Sequence, residues 1–101
     1  MDSVINLKGK KVDPAEIEET LSALRGVEEV VAVGVPDPET GASTLRVVIA
    51  CRPGQLTREE VLRFCRAELA EHKVPRSIRL VHEIPRTARG KIDRGTLAGP
   101  S

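Results

Sequence analysis

Val27-Glu28-Glu29-Val30-Val31-Ala32-Val33-Gly34-Val35 and Leu45-Arg46-Val47-Val48-Ile49-Ala50-Cys51 are the two stretches that decide the fold class. Each is too short and too rich in β-branched residues for a helix, so both are predicted to be buried strands. Pro36-Asp37-Pro38-Glu39-Thr40-Gly41 between them is dense in turn residues. That link is too short for a crossover helix, so the two strands are expected to pair antiparallel.

Working outward, Asp13-Pro14-Ala15-Glu16 reads as a helix start: Asp as N-cap, Pro at the first helical position and Glu three residues after the cap. Ile17, Leu21 and Leu24 continue at helical spacing, and Gly26 is expected to end the helix as a left-handed cap. Before it, Val4 to Leu7, a Lys8-Gly9-Lys10-Lys11 break and Val12 predict a Lys-rich hairpin. A second helix is announced by the capping box Thr57-Arg58-Glu59-Glu60, with Leu56 and Val61 placed for a hydrophobic staple. Its apolar stripe is expected to be Leu62, Cys65 and Leu69 with Phe64 at the flank, and Pro75 bars continuation beyond Val74. Ser77 to Val81 reads as a third strand. A polar, basic loop follows, with a last turn over Asp93 to Leu97. The sum is an α+β domain: a small, largely antiparallel three-stranded sheet packed with two main helices, an N-terminal β-hairpin and a basic C-terminal loop.

The chain has 101 residues, 40% of them hydrophobic and 31% charged, which suits one globular domain and not a disordered segment. Phe64 is the single aromatic residue, so the core must be aliphatic and there is no platform for stacking bases. The net charge of +1 hides an asymmetry: residues 1–72 carry 9 Lys and Arg against 13 Asp and Glu, residues 73–101 carry 7 against 2. A basic final third suits an anionic partner (a nucleotide, a phosphorylated cofactor, an acidic protein) or a solvated basic edge. The missing aromatics and motifs weigh against nucleic acid.

Cys51 and Cys65 have no neighbours that complete a metal site, and read as core residues of a reducing compartment. The first residues do not form a signal peptide, and no apolar run approaches the roughly 20 residues that span a bilayer. A cytoplasmic location is expected. His72 and His82 lack a recognisable nucleophile, and the pairs Glu18-Glu19, Glu28-Glu29 and Glu59-Glu60 read as solvated surface. Gly90-Lys91 is not a phosphate loop of the Walker type, because Ile92 follows it. Lys91 nonetheless stands out: a compact charge after a conformationally free Gly, in an irregular loop with Arg86, Arg89 and Arg94. Such a group suits stabilisation of phosphate or carboxylate charge.

Gly9-Lys10-Lys11-Val12-Asp13-Pro14-Ala15-Glu16-Ile17-Glu18 resembles the G-x-x-V-x-P-x-E-I-E stretch of the acyl-CoA synthetase, aryl-CoA ligase and peptide-synthetase adenylation superfamily. Val27 to Gly41 is similar to its next block. His72-Lys73-Val74-Pro75-Arg76 resembles its Y-K-V-P-R, with His in the Tyr position, and Pro85 to Arg94 resembles its P-R-T-x-x-G-K-x-x-R terminus. The resemblance covers essentially the whole chain, in order. It departs at Arg89, which stands where a small residue is common.

That resemblance implies the small, mobile C-terminal domain of an AMP-forming acid–thiol ligase, whose large N-terminal domain is not in this chain. It implies Lys91 as the adenylation lysine, supported by Gly90 in its loop; Asp2 as the hinge; and Lys8, Gly9 and Lys10 as the loop that helps form the thiol tunnel. It also implies ATP, with Mg held mainly by the missing domain, and coenzyme A or the phosphopantetheine of an acyl carrier protein as acceptor. The N-terminal domain is then a partner in cis or in trans, and the chain alone is expected to be inactive. The rival expectation is a free-standing, non-catalytic docking module that binds an acyl carrier protein or a synthetase through its basic third.

Overall fold

β3 (Glu29–Pro36) and β4 (Ser43–Ala50) form the antiparallel pair expected from the Val-rich runs, with Val31 opposite Val48 and Val33 opposite Arg46. The computed structural model describes residues 4–7 and 9–99. Ahead of this pair lie β1 (Ile5–Leu7), β2 (Lys10–Val12) and α1 (Pro14–Ser22). After it come α2 (Arg58–Glu68), a 3-10 turn (Glu71–Lys73), β5 (Ser77–Val81) and α3 (Arg94–Leu97). The α+β class, the N-terminal hairpin and the three-stranded sheet with two main helices are all present.

The sheet has the order β3-β4-β5 and is mixed, because β5 pairs parallel to β4 with Val48 opposite Arg79. α2 carries the chain back along the sheet after β4, so β5 re-enters in the direction of β4. This qualifies the largely antiparallel expectation: within the three-stranded sheet one pairing, β3–β4, is antiparallel and the other parallel.

Alternate strand residues point to opposite faces. Ala32, Leu45, Val47 and Ile49 form one buried cluster with Ile17 and Leu21 of α1 and Val61 and Cys65 of α2. Val31, Val33, Val35, Val48 and Ala50 form a second cluster with Ile84 and Leu97 of the C-terminal segment. The runs are apolar without alternation because both faces are covered. Each fully buried Val, Leu or Ile in them contributes about 1.5–3 kcal/mol relative to exposure.

The local starts follow the sequence. Asp13 Oδ1 accepts from Ala15 N at 2.9 Å, capping α1. At α2 the box is reciprocal: Thr57 Oγ1 accepts from Glu60 N at 3.1 Å and Glu60 Oε1 accepts from Thr57 N at 2.9 Å. The ends differ from expectation. α1 stops at Ser22, where Ser22 Oγ donates to the Glu18 carbonyl at 2.7 Å and the next amides tighten onto carbonyls three residues back. Gly26, at φ +102°, serves the following turn instead. A Cβ there would lie 3.0 Å from Gln55 Cγ and 3.1 Å from Leu56 Cγ. α2 ends at Glu68 because Leu69 turns extended, with φ −119° and ψ 150°, to put its side chain in the core. The stripe of α2 runs through Val61, Cys65 and Leu69, whereas Leu62 is only half-buried.

β3 lies at one edge of the sheet, and its outward backbone groups at Ala32 are both engaged. Ala32 N donates to Glu18 Oε2 at 2.9 Å, and Arg94 Nη1 donates to the Ala32 carbonyl at 3.4 Å. Charged groups on an edge strand block pairing with another chain. Gly34, mid-strand, lets Ile5 of β1 lie against β3, since a Cβ at that position would be 3.2 Å from Ile5 Cγ2.

Candidate functional site

Pro85 to Asp93 is not an unstructured loop but a tight hairpin. Arg86 and Ile92 form an antiparallel bridge, and Asp93 N donates to the Pro85 carbonyl at 2.9 Å. Further out, Thr87 N donates to the Lys91 carbonyl at 2.6 Å and Gly90 N donates to the Thr87 carbonyl at 2.9 Å. Ala88-Arg89-Gly90 is thus a three-residue hairpin loop with its glycine at φ +85°, the left-handed position such loops require. Lys91 follows at once, and its side chain is exposed.

Two anchors hold the hairpin to the domain. Ile84 enters the second core cluster before it, and Leu97 enters the same cluster after it. Asp93 caps α3: its Oδ1 accepts from Thr96 N at 3.2 Å and its Oδ2 from Thr96 Oγ1 at 2.8 Å. Those bonds favour the carboxylate and hold Asp93 below the usual carboxylate range. Arg46 reaches up from β4 and its Nη1 donates to the carbonyls of Leu97 at 2.7 Å and Gly99 at 2.6 Å; Nε donates to Ser77 Oγ at 3.0 Å. Burial first and Arg79 second lower the affinity of Arg46 for its proton.

Charged contacts of the hairpin itself are carried by Arg86. Its Nη2 pairs with Glu29 Oε2 at the start of β3, and its Nη1 donates to the Gly90 carbonyl at 3.4 Å. Arg89 and Lys91, both exposed, put positive charge on the outer part of the hairpin, whereas Arg94 belongs to α3 and turns to the Ala32 carbonyl of β3.

The second set of expected site residues lies on the other hairpin. Gly9, at φ +86°, donates its N–H to Asn6 Oδ1 at 2.9 Å and closes the turn between Leu7 and Lys10. Lys10 and Lys11, expected in the break, instead form strand β2 with their side chains exposed. Ile5 and Val12 anchor this hairpin in the cluster shared with α1 and α2, not in the cluster that holds Ile84 and Leu97. Lys91 and Lys10 are therefore carried on separate projections with separate anchors. Asp2 and Lys8 lie outside the described residues.

A groove of about 450 Å³ at the β3 edge lies between the roots of the two hairpins, with Val4, Asn6, Gly34 and Arg94 among its lining. A larger one, about 540 Å³, is lined by Asp37, Thr44, Arg46, Arg76 and Ser77 among others. Neither is lined by Lys91 or Lys10. Among the described residues, no group of three or more His, Cys, Asp or Glu is placed to hold a metal ion. No described helix is long and apolar enough to cross a membrane. Chemically, the domain offers exposed ammonium groups on short, backbone-closed projections.

Sequence reasoning singled out Gly90 and Lys91 and passed over Glu29, Arg46 and the Arg86 contacts. Arg46 in an otherwise apolar run was a usable signal of a buried, partnered charge. Glu29 and Arg86 are 57 residues apart, and nothing local announces their pairing.

Residues 16–91 match the model of the family described as the AMP-binding enzyme C-terminal domain. A CoA ligase of Rhodococcus jostii, acting on a 3-(7a-methyl-1,5-dioxo-octahydroindenyl)propanoyl group, is 41% identical over 90 residues, which is 88% of this chain and 17% of that protein. The feruloyl-CoA synthase of Amycolatopsis is 37% identical over 87 residues, 86% of this chain and 18% of that protein. Among solved structures, ATP-bound MatB from Rhodopseudomonas palustris superposes with a TM-score of 0.84 at 28% identity, over 96% of this chain and 19% of that one. The Mycobacterium tuberculosis fatty acyl CoA synthetase gives a TM-score of 0.82 at 29% identity, over 94% and 19%. The chain thus spans under a fifth of the length of these relatives.

Proposed function

The chain belongs to the AMP-binding enzyme C-terminal domain family, and from that premise we propose that it is the small domain of an AMP-forming ligase that joins a carboxylic acid to coenzyme A or to a carrier-protein phosphopantetheine. Its partner is a large N-terminal domain that holds ATP and the acid. The observation that carries this proposal is Lys91: an exposed ammonium at the foot of a tight, positive hairpin, at the last residue of the family match.

In the first half-reaction a carboxylate oxygen attacks the α-phosphorus of ATP, an acyl–AMP bond forms and pyrophosphate leaves. Two anions must meet for this to happen. Lys91 enters between them, offsets their charge and fixes their approach, acting by position and field and not as a base. In the second half-reaction the thiol of the acceptor attacks the acyl carbon, the thioester forms and AMP leaves. For that step the domain turns about Asp2 as a rigid body, and the Lys8-Gly9-Lys10 turn contributes to the passage for the pantetheine arm. The separate anchoring of the two hairpins supports a division of labour between the steps. Mg belongs to the N-terminal domain in this scheme.

The test is single-turnover kinetics of each half-reaction in a two-domain ligase carrying this chain as its C-terminal domain, with the chain alone as a control that should not exchange pyrophosphate into ATP. Lys91→Ala is expected to slow acyl-adenylate formation by about 10²–10³ and to spare thioester formation from supplied acyl-adenylate. Lys91→Arg should also be slow, because a planar guanidinium does not replace a compact ammonium. Wild-type adenylation in folded Lys91→Ala refutes the proposal and favours a docking module for a carrier protein or synthetase.

A further inference from the structure

Between Ile84 and Leu97 no side chain of the hairpin is buried. From Arg86 to Lys91 every residue is exposed, and Pro85, Ile92 and Asp93 are half-buried. The backbone bonds described above close the hairpin on itself but do not fix its angle to the sheet. Half-buried Ile92 packs against the second core cluster, so packing reaches as far as the Arg86–Ile92 bridge, and the part beyond it, Thr87 to Lys91, can pivot about that bridge.

Arg86 opposes that pivot. One arm of its guanidinium pairs with Glu29, the first residue of β3, whose backbone position is set by pairing with Ala50. The other arm reaches the carbonyl of Gly90, in the peptide that leads directly into Lys91. A planar fork with donors in fixed directions can hold both acceptors, where a single ammonium holds them less well. The guanidinium therefore links the rigid edge of the sheet to the peptide that carries the lysine.

We infer that the Glu29–Arg86 pair is a positioning device that sets the angle of the Lys91 hairpin. Its catalytic consequence rests on the role proposed for Lys91, but the device itself does not. Both side chains are about two-fifths exposed, so solvent screens the pair and its effect is modest. A half-exposed pair of this kind shifts an equilibrium by roughly three- to fivefold. If only the braced hairpin is competent, the adenylation rate falls by that same factor when the brace is removed.

The first measurement uses the chain itself. Residual dipolar couplings of the Thr87 and Gly90 N–H bonds, which report the angle of the hairpin to the sheet, are followed in wild type, Arg86→Ala, Glu29→Gln and Arg86→Lys. The couplings should shrink towards averaged values in the first two variants, with Arg86→Lys in between and those of Val47 and Val48 in β4 unchanged. The second measurement uses the two-domain ligase. Arg86→Ala should slow acyl-adenylate formation by roughly three- to fivefold, spare thioester formation, and add nothing in a Lys91→Ala background; a purely structural role would slow both steps in either background.

The outcomes separate the two claims. Unchanged couplings at Thr87 and Gly90 overturn the brace whatever the kinetics. Averaged couplings with unchanged adenylation overturn its positioning role when Lys91→Ala is inactive. If Lys91→Ala is itself active, the failure belongs to the proposal for Lys91, and the couplings alone uphold the brace.

Discussion

Replacing Arg46 by Leu tests whether a buried charge holds the C-terminal segment on the sheet. Leu keeps most of the aliphatic volume but has no donor. The residue is 6% exposed, and its Nη1 serves the carbonyls of Leu97 and Gly99, at the end of α3 where carbonyls lack helical partners. Hydrogen bonds from a charged donor contribute about 1.5–3 kcal/mol each, so the two together bring about 3–6 kcal/mol. Against this stands the cost of keeping a guanidinium buried beside Arg79, which the substitution relieves. The net expectation is a loss of about 2–4 kcal/mol, or a fall in Tm of roughly 10–25 °C for a domain of this size. Urea unfolding gives the free energy. Limited proteolysis gives the location, because the segment from Ile84 to Leu97 should become cleavable before the helices do. A loss below about 0.5 kcal/mol, with that segment still protected, refutes the claim that these bonds hold α3 in place.

Three further outcomes follow from ionisation. Burial raises the Cys65 thiol to about 11, so it should resist alkylation at pH 8 until the chain is unfolded; prompt modification of native protein at Cys65 contradicts its place in the core. The same shift should erode stability as pH climbs from about 9 towards 11, since the unfolded chain ionises this thiol first, and Cys65→Ala should flatten that decline in pH-dependent urea titrations. Asp93 is shifted the other way, so its contribution is present above the ordinary carboxylate range and is lost as pH falls through its depressed value. Carboxyl NMR should place its midpoint below 3.8, and Thr96→Val should move it back up; an unmoved midpoint argues against the cap.

The strands and the helix starts were legible because each is written locally. A Val-rich run, an Asp-Pro-x-Glu start and a Thr-x-x-Glu box act over a few residues, and the structure keeps all of them. The helix ends were not legible, because they are settled by packing. Leu69-Ala70-Glu71-His72-Lys73 has the composition of a continuing helix, yet Leu69 reaches the core only by leaving helical geometry. Gly26 has the look of a cap, but its partners are Gln55 and Leu56 from a distant loop. Of the site, Gly90 and Lys91 were readable from their motif. Their support was not: Glu29 belongs to a pair read as solvated surface, and only the fold brings it to Arg86.

The two-sided sheet explains how the two ends of the Lys91 hairpin are fixed. A hairpin on a sheet with one solvated face would hang from the rim. Here the C-terminal segment is itself the second layer, because Val31, Val33, Val48 and Ala50 need Ile84 and Leu97 to be covered. Removing that segment exposes a large apolar face, so the placement of the hairpin's two ends is enforced by the same burial that stabilises the sheet. What burial cannot enforce is the angle of the outermost residues, where no apolar side chain points inward. That is where the ion pair and the left-handed glycine are found. On the role proposed for Lys91, its positioning is then built in two stages, hydrophobic at the root and electrostatic near the tip. Salt should separate them: roughly 1 M salt weakens a half-exposed ion pair while leaving apolar burial intact.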